Sequence, residues 1–368
     1  MATRGPTIAF DARLVGYAAG IARYAVLLAE ALAKLDGPES YLLLRGRKAD
    51  PNLGGRLCLT PPHHRLERLT LPLELLATRQ RPDVLHSLDH VAPAWGPWRS
   101  VVTLHDLAFL LYPETHTPES RAYYAAAGES ARRAARVIAV SRRTASDAVR
   151  LLGVDPARMR VIHNAADPRY GPRPLQELEE LAARRGFDPD KPYVLFVGTL
   201  EPRKNVPVLF EALAEVRRHL DVTLLLVGGR GWLDGPIQSA HARSGLGDAA
   251  RFLGWLDQAD LAVLYSHARV FALPSLYEGF GLPVLEAMAC GAPVVCSDAG
   301  PLPEVAGDAA VLLPPQDVRA WADAIRRLLT DEHLATSLRA RGERRAREFS
   351  WEQSARATRE VYREALLA

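Results

Sequence analysis

The sequence predicts an α/β protein built from two doubly wound, parallel-sheet domains facing across a cleft. Three observations predict it. The chain has 368 residues, more than one core ordinarily holds, and fits two domains of about 150 to 190 residues each. Short apolar runs alternate with longer helical patterns along nearly the whole length. The alternation breaks once, at a proline-rich stretch, and then starts again.

In the first half the apolar runs Thr7–Phe10, Tyr41–Leu44, Val84–Ser87, Ser100–Thr103, Val137–Val140 and Arg160–Ile162 read as strands. Ile21–Leu35 reads as a helix between the first two, and Ser120–Arg136 as another before the fifth. Strands bounded by turn residues and separated by helices imply a parallel sheet covered on both faces. The stretch from Asn164 to Lys191 holds Pro168, Pro172, Pro174, Pro189 and one short charged helix, the composition of an interdomain connection. The expected boundaries are therefore 1–170 for the first domain, 171–190 for the connection and 191–350 for the second domain. In the second, Tyr193–Val197, Val222–Val227, Ala250–Leu253, Val270–Leu273, Val294–Ser297 and Ala310–Leu313 read as strands. Pro207–Arg218, Ile237–Ser244 and Asp257–Ser266 read as helices between them. Residues 351–368 form a last, amphipathic helix from Trp351 to Leu367, capped by Ser350.

Composition narrows the class. A formal net charge of +3 gives no electrostatic basis for binding nucleic acid. Cys58, Cys290 and Cys296 are odd in number and lack metal or redox spacing, which fits a reduced, cytoplasmic compartment. The first residues read as a buried strand rather than a secretory signal. No window approaches the roughly 18 to 20 apolar residues of a membrane span, so membrane contact is expected only peripherally. Of 46 basic residues, only Lys34, Lys48, Lys191 and Lys204 are lysines.

Two loops carry chemistry. VGTLEPRKN, residues 197–205, sets Arg203 and Lys204 beside the permissive backbone of Gly198 and the start of a helix. Two cations and free amides suit a diphosphate, though an Arg-Lys pair on a loop is also an ordinary solvated pair. A lysine kept where arginine is the default favours a compact point charge. The second loop, SLYEGFGLPVLEAMACGAPVV, residues 275–295, turns at Gly279 and Gly281 into a helix with Pro283 in its first turn. That helix stops near Gly291. Its positive end stabilises charge developing on a leaving phosphate. Glu278 and Glu286 flank the turn, and a carboxylate pair accepts hydrogen bonds from sugar or ribose hydroxyls.

The segment EGFGLPVLEAMACGAPVVCSDAGPLPEVAGDAA closely resembles the donor-binding signature of the family 4 retaining glycosyltransferases, which have the GT-B fold. VGTLEPRKN resembles the same family's phosphate loop, and FLGWLDQADLAVLYSHARVFALPSLYEGFG the stretch before the signature. The resemblance continues more weakly at GIARYAVLLAEAL, DVLHS, TLHDLAFLLYPE and VIHNAAD. It implies that Glu278 holds donor-sugar hydroxyls and Glu286 the ribose. Arg203 and Lys204 would clamp the diphosphate with the amides of Phe280, Gly281 and Leu282. His105, in TLHD, stands where the family has a histidine beside the donor sugar; on residues alone a structural histidine is the default reading. Gly16 and Gly20 lie in the first strand-to-helix loop, which the family turns toward the donor phosphates and acceptor, or which serves as a plain turn. The last helix would pack back on the N-terminal, acceptor-side domain. The departures, Ala22 and Ala165 where glycine is common, lie in that domain, so the acceptor is not transferred.

The resemblance further implies retention without a metal. The Asp188–Asp190 pair lies in the proline-bearing connection, away from both loops, so no metal and no cofactor beyond the nucleotide-sugar donor is expected. GIARYAV with HDLAFLLYPE looks most like the mannosyl-transferring branch, implying GDP-mannose; a UDP- or TDP-sugar is the alternative. The acceptor is expected to be a glycan or lipid-linked oligosaccharide precursor. Arg132, Arg133, Arg136, Arg142 and Arg143 read either as a solvated face or as contact with anionic lipid at the inner membrane face. A sugar-nucleotide epimerase and a noncatalytic nucleotide-sugar sensor are the other readings. A pyridoxal-dependent phosphorylase fits poorly, because the second domain has lysines only near its start, at Lys191 and Lys204.

Overall fold

The computed structural model describes residues 5–16, 19–49, 54–77, 81–231 and 235–368. The chain divides into two compact units, the first running to Asn164 and including Ser350–Ala368, the second running from Ala165 to Phe349.

Unit 1 is a seven-stranded parallel sheet in the order β3-β2-β1-β4-β5-β6-β7. The strands are β1 (Thr7–Ala12), β2 (Ser40–Arg45), β3 (Arg56–Leu57), β4 (Val84–Ser87), β5 (Arg99–Leu104), β6 (Arg136–Ala139) and β7 (Met159–Val161). Ile8, Val84, Leu85, Val101, Val102, Val137 and Ile138 are fully buried, as expected where helices cover both faces. Chain order reverses between β1 and β4, which pair directly with Ile8 opposite Val84. That reversal opens a crevice at their carboxyl ends.

The helix Trp351–Leu367 belongs to this unit. The Tyr362 hydroxyl lies 2.8 Å from Nδ1 of His86. Glu364 pairs with Arg136 and Arg160, and the Ser354 hydroxyl donates to the His163 carbonyl at 2.6 Å. Ser350 caps the helix by accepting from the Gln353 amide.

Unit 2 is a six-stranded sheet in the order β10-β9-β8-β11-β12-β13. Its strands are β8 (Tyr193–Val197), β9 (Thr223–Val227), β10 (Ala250–Gly254), β11 (Val270–Leu273), β12 (Val294–Ser297) and β13 (Ala310–Leu313). Here the order reverses between β8 and β11. The proline-bearing segment carries a helix, Leu175–Arg185, whose Leu178, Leu181 and Ala182 are buried in this unit.

The structure differs from the sequence reading in places. The helix expected over Ser120–Arg136 is two, Pro118–Tyr124 and Ala127–Arg133. The second has no side-chain cap, and Ser130 turns its hydroxyl onto the Ala126 carbonyl while accepting from the Ala92 amide. Such local bonding competes with a continuous helix. Glu67–Leu76, with Pro72 inside it, and the pair Val318–Thr330 and Glu332–Arg347 are further helices. No helix among the described residues is long and apolar enough to cross a membrane.

Candidate active site

In unit 2 the loops after β8 and β11 are tied together by backbone and side chain. Asn205 ends the turn Pro202–Lys204 in the left-handed region (φ 55°), a conformation asparagine tolerates better than most residues. Its side-chain amide donates to the carbonyls of Pro274 (3.1 Å) and Pro315 (2.6 Å). The Leu276 amide donates to the Arg203 carbonyl at 2.8 Å. These bonds place the two cations of the first loop against the carboxylate of the second.

Glu278 is buried, 6% exposed, and receives Nζ of Lys204 at 2.6 Å, Nη1 of Arg203 at 3.3 Å and the Ser275 hydroxyl at 2.6 Å. Burial alone would raise this carboxyl, but Lys204 and Arg203, with the Ser275 bond, hold it down at about 2. Arg203 also reaches Glu201 at 2.7 Å and the Tyr277 carbonyl. The cluster is a rigid array whose cations can turn a share of their field toward an anion without first being ordered.

The helix Leu282–Ala289 begins beside this cluster. Gly281 precedes it at φ 101°, a conformation that disfavours any side chain, and a Cβ there would stand 2.5 Å from Leu302. No side chain caps this end; Pro283 has no amide hydrogen and the Val284 amide donates to the Gly281 carbonyl at 3.0 Å, so what the helix start offers an anion is chiefly its positive end. Glu286 lies on the buried side of the helix, where the Tyr265 hydroxyl donates to Oε2 at 3.0 Å. Glu278, Arg203 and Lys204 are thus joined directly, while Glu286 is held by a different partner. Gly198 follows β8, and Gly228 lets the loop after β9 pass close to it: a Cβ on Gly228 would fall 2.0 Å from the Gly198 carbonyl.

In unit 1, His105 follows β5. Its Nε2 lies 2.7 Å from the Leu88 carbonyl, which can only accept, so Nε2 carries the hydrogen and Nδ1 the lone pair. Burial, then the charge of His90, lowers its pKa to about 4. The ring is therefore a neutral acceptor at pH 7. Gly16 turns the backbone at φ 92°, where a Cβ would meet the Lys48 carbonyl at 2.4 Å; a Cβ on Gly20 would meet open space.

Residues 178–348 match the family described as Glycosyl transferases group 1, and residues 18–170 match Glycosyltransferase Family 4. The O-antigen chain mannosyltransferase B of Escherichia coli is 37% identical over 275 residues, covering 72% of this chain and 70% of the relative. The chain belongs to glycosyltransferase family 4. The D-inositol 3-phosphate glycosyltransferase of Salinispora arenicola is 34% identical over 68% of this chain, an alignment that spans only 59% of that relative. Among solved structures, the sucrose-phosphate synthase of Thermosynechococcus elongatus superposes with a TM-score of 0.79 at 26% identity, covering 97% of this chain and 98% of that one. The two parallel-sheet units are those of the GT-B fold.

This family 4 chain also holds a polar network that the sequence reading passed over. Arg13, 1% exposed, bonds Asp11, Glu67 and the Thr60 carbonyl. Asp89 receives His63 at 2.7 Å and His90 at 2.5 Å. His90 faces the Asp89 carboxylate with Nδ1, while its Nε2 lies 2.7 Å from the Asp106 carbonyl and 3.3 Å from the Asp106 amide. Burial works against the charged form, but the bond to Asp89 and its field raise the pKa of His90 overall. The available signal was position: Asp11, Arg13, Asp89 and His90 stand at the ends of two short apolar runs.

Four of the five arginines of the basic cluster make bonds within unit 1. Arg132 donates to the Leu152 carbonyl, Arg133 pairs with Glu129, Arg136 with Glu364 and Arg143 with Asp147. The side chain of Asp188 accepts from the Asp190 amide, as in an ordinary turn.

Proposed function

We propose that this chain transfers mannose from GDP-mannose, with retention, to a hydroxyl of a glycan or lipid-linked oligosaccharide precursor. The observation that carries the reading is Glu278, buried and held by Lys204 and Arg203 beside an uncapped helix start. In this reading Glu278 accepts from donor-sugar hydroxyls and Glu286 from the ribose. Arg203 and Lys204, with the amides of Phe280, Gly281 and Leu282, hold the diphosphate. His105 accepts a sugar hydroxyl at Nδ1. Gly16 and Gly20 let the first loop of unit 1 approach the donor phosphates, and unit 1 takes the acceptor.

The acceptor oxygen attacks the anomeric carbon on the face from which the diphosphate departs. The bond from that carbon to the phosphate oxygen breaks, and the acceptor proton passes to the leaving phosphate. The products are GDP and a mannoside of unchanged anomeric configuration. Mannose is supported by the Escherichia coli relative, itself a mannosyltransferase by name. A lipid-linked acceptor places the work at the cytoplasmic membrane face, by peripheral contact.

The test is thermal stabilisation by GDP, UDP, TDP and ADP, each beside its sugar conjugates, in wild type and Glu286→Ala. A GDP-selective rise, weakened by the substitution, supports both the donor and the ribose role. A rise with UDP or TDP alone discards mannose. Product analysis then separates transfer from epimerisation of the donor.

A further inference from the structure

The amino ends of β5 and β6 lie at the opposite end of the unit 1 sheet from its crevice, and a cavity of about 330 Å³ opens there. That volume suits a small ligand. Five arginines line it: Arg68, Arg99, Arg133, Arg136 and Arg158. They arrive from separate segments. Arg99 and Arg136 begin β5 and β6. Arg68 comes from the helix Glu67–Leu76, Arg133 ends the helix Ala127–Arg133, and Arg158 ends the turn Pro156–Arg158. Among the described residues, no aspartate or glutamate lines the cavity with them.

Pairing does not cancel this charge. Glu129 serves both Arg68, at 2.8 Å, and Arg133, at 3.2 Å. Glu364 serves both Arg136, at 2.8 Å, and Arg160, at 2.7 Å. Arg158 meets Asp155 only at 3.9 Å. The exposed side chain of Arg99 makes no bond among the described residues. Even with a carboxylate counted at Ala368, which also lines the cavity, the balance stays positive. A guanidinium carries five N–H donors, and these pairs leave most of them uncommitted. Arg136 and Arg158 also cover the carbonyls of Ala135 and Arg132, at 2.8 and 3.1 Å, oxygens that would otherwise repel an anion.

The rest of the wall is built from two tryptophans and a serine. Trp98 is buried, and Gly96 lies against its indole, where a Cβ would stand 2.2 Å from the ring; Trp95 is 39% exposed. Ser100 brings a buried hydroxyl that has no hydrogen-bond partner among the described residues, a group that a native structure ordinarily satisfies. Planar donors in excess, gathered in a concave site, match the oxygens of a phosphate group.

We propose that this cavity is a second anion site, sharing no residue with the loops of unit 2, and that it binds the phosphate group of a monoester or diphosphate, free or as a lipid headgroup. The inference stands independently of the donor reading.

The experiment uses the full chain labelled with 5-fluorotryptophan, at about 0.15 M ionic strength to screen loose association. Fluorine resonances of Trp95 and Trp98 are assigned with Trp95→Phe and Trp98→Phe. Pyrophosphate, the soluble probe, should shift one or both resonances saturably. Arg99→Gln and Arg158→Gln, both at exposed positions, should each weaken that response about tenfold, the scale of one charge-assisted hydrogen bond, with Tm unchanged. Lys204→Gln, which alters the unit 2 loops, should leave it in place. A second arm sediments the protein with phosphatidylcholine vesicles, with and without phosphatidylglycerol. A pyrophosphate response without sedimentation assigns a free phosphate; sedimentation that needs phosphatidylglycerol and weakens in Arg99→Gln assigns a headgroup. Unmoved tryptophan resonances with no such sedimentation would overturn the proposal. So would a response that Arg99→Gln and Arg158→Gln leave intact, or one that Lys204→Gln removes.

Discussion

Replacing Glu278 by glutamine keeps its shape and removes its charge, and the structure sets the size of the effect. The carboxyl is held at about 2 instead of 4.5. Each pKa unit is worth about 1.4 kcal/mol, so ionised Glu278 contributes about 3 kcal/mol to stability at neutral pH. The folded pKa lies below the unfolded one, so the contribution is complete above about pH 4.5 and fades as pH falls toward 2. Near pH 3 less than half of it should remain. The variant also leaves the buried ammonium of Lys204, 7% exposed, without its anion. Urea unfolding, followed by hydrogen exchange at the β11 and β12 amides, reports unit 2 specifically. The gap between wild type and Glu278→Gln should narrow by about 2 kcal/mol between pH 7 and pH 3. Titrating groups distant from position 278 are common to both proteins and cancel. A gap that is constant, or that widens in acid, would refute the argument that the two cations fix this carboxylate.

Gly281→Ala should lower stability by about 1–2 kcal/mol, mostly from backbone strain at φ 101°, because the Leu302 side chain in its way can give. Its nucleotide-induced rise in Tm should fall further than its own Tm does. Tyr265→Phe removes the 3.0 Å bond to Glu286 and should weaken GDP about tenfold with a stability loss near 1 kcal/mol, read by calorimetric titration. His105 is held neutral, with its pKa near 4. The kcat profile should therefore show no inflection from it in the ordinary imidazole range. Any inflection that His105→Gln abolishes should lie near pH 4, and one near 6.5 would contradict the assigned environment.

Much of this molecule was legible in the residues because parallel strands buried on both faces read as short apolar runs. Val84–Ser87, Tyr193–Val197, Val270–Leu273, Val294–Ser297 and Ala310–Leu313 are strands over the spans the sequence marks. The carboxylate-and-cation set of unit 2 was legible for a different reason. Its members lie in two continuous loops, so spacing and glycines announce them. What stayed hidden was assembled across distance. Arg13 meets Glu67 across 54 residues of sequence, and His63 meets Asp89 across 26. The two-residue strand Arg56–Leu57 and the helix with Pro72 inside it carry too little periodicity to be recognised. Nor does Ser120–Arg136 advertise its interruption, since alanine supports helix on both sides of the break and the competing bond is made by Ser130.

Backbone strain supplies a measure of these sites that is independent of their chemistry. Among the described residues, His63, His90 and Asn205 are the non-glycine residues with positive φ. A conformation of this kind costs about 1 kcal/mol or more and persists only where neighbouring contacts over-determine it. Asn205 is held by the carbonyls of Pro274 and Pro315, and that grip presents Lys204 to Glu278. His63 and His90 are held by the two oxygens of Asp89. In each unit, then, the strain sits beside the point where strand order reverses, between β8 and β11 in one and between β1 and β4 in the other. In both units the strained residues are thus fixed by side-chain bonds to the loops that end neighbouring strands.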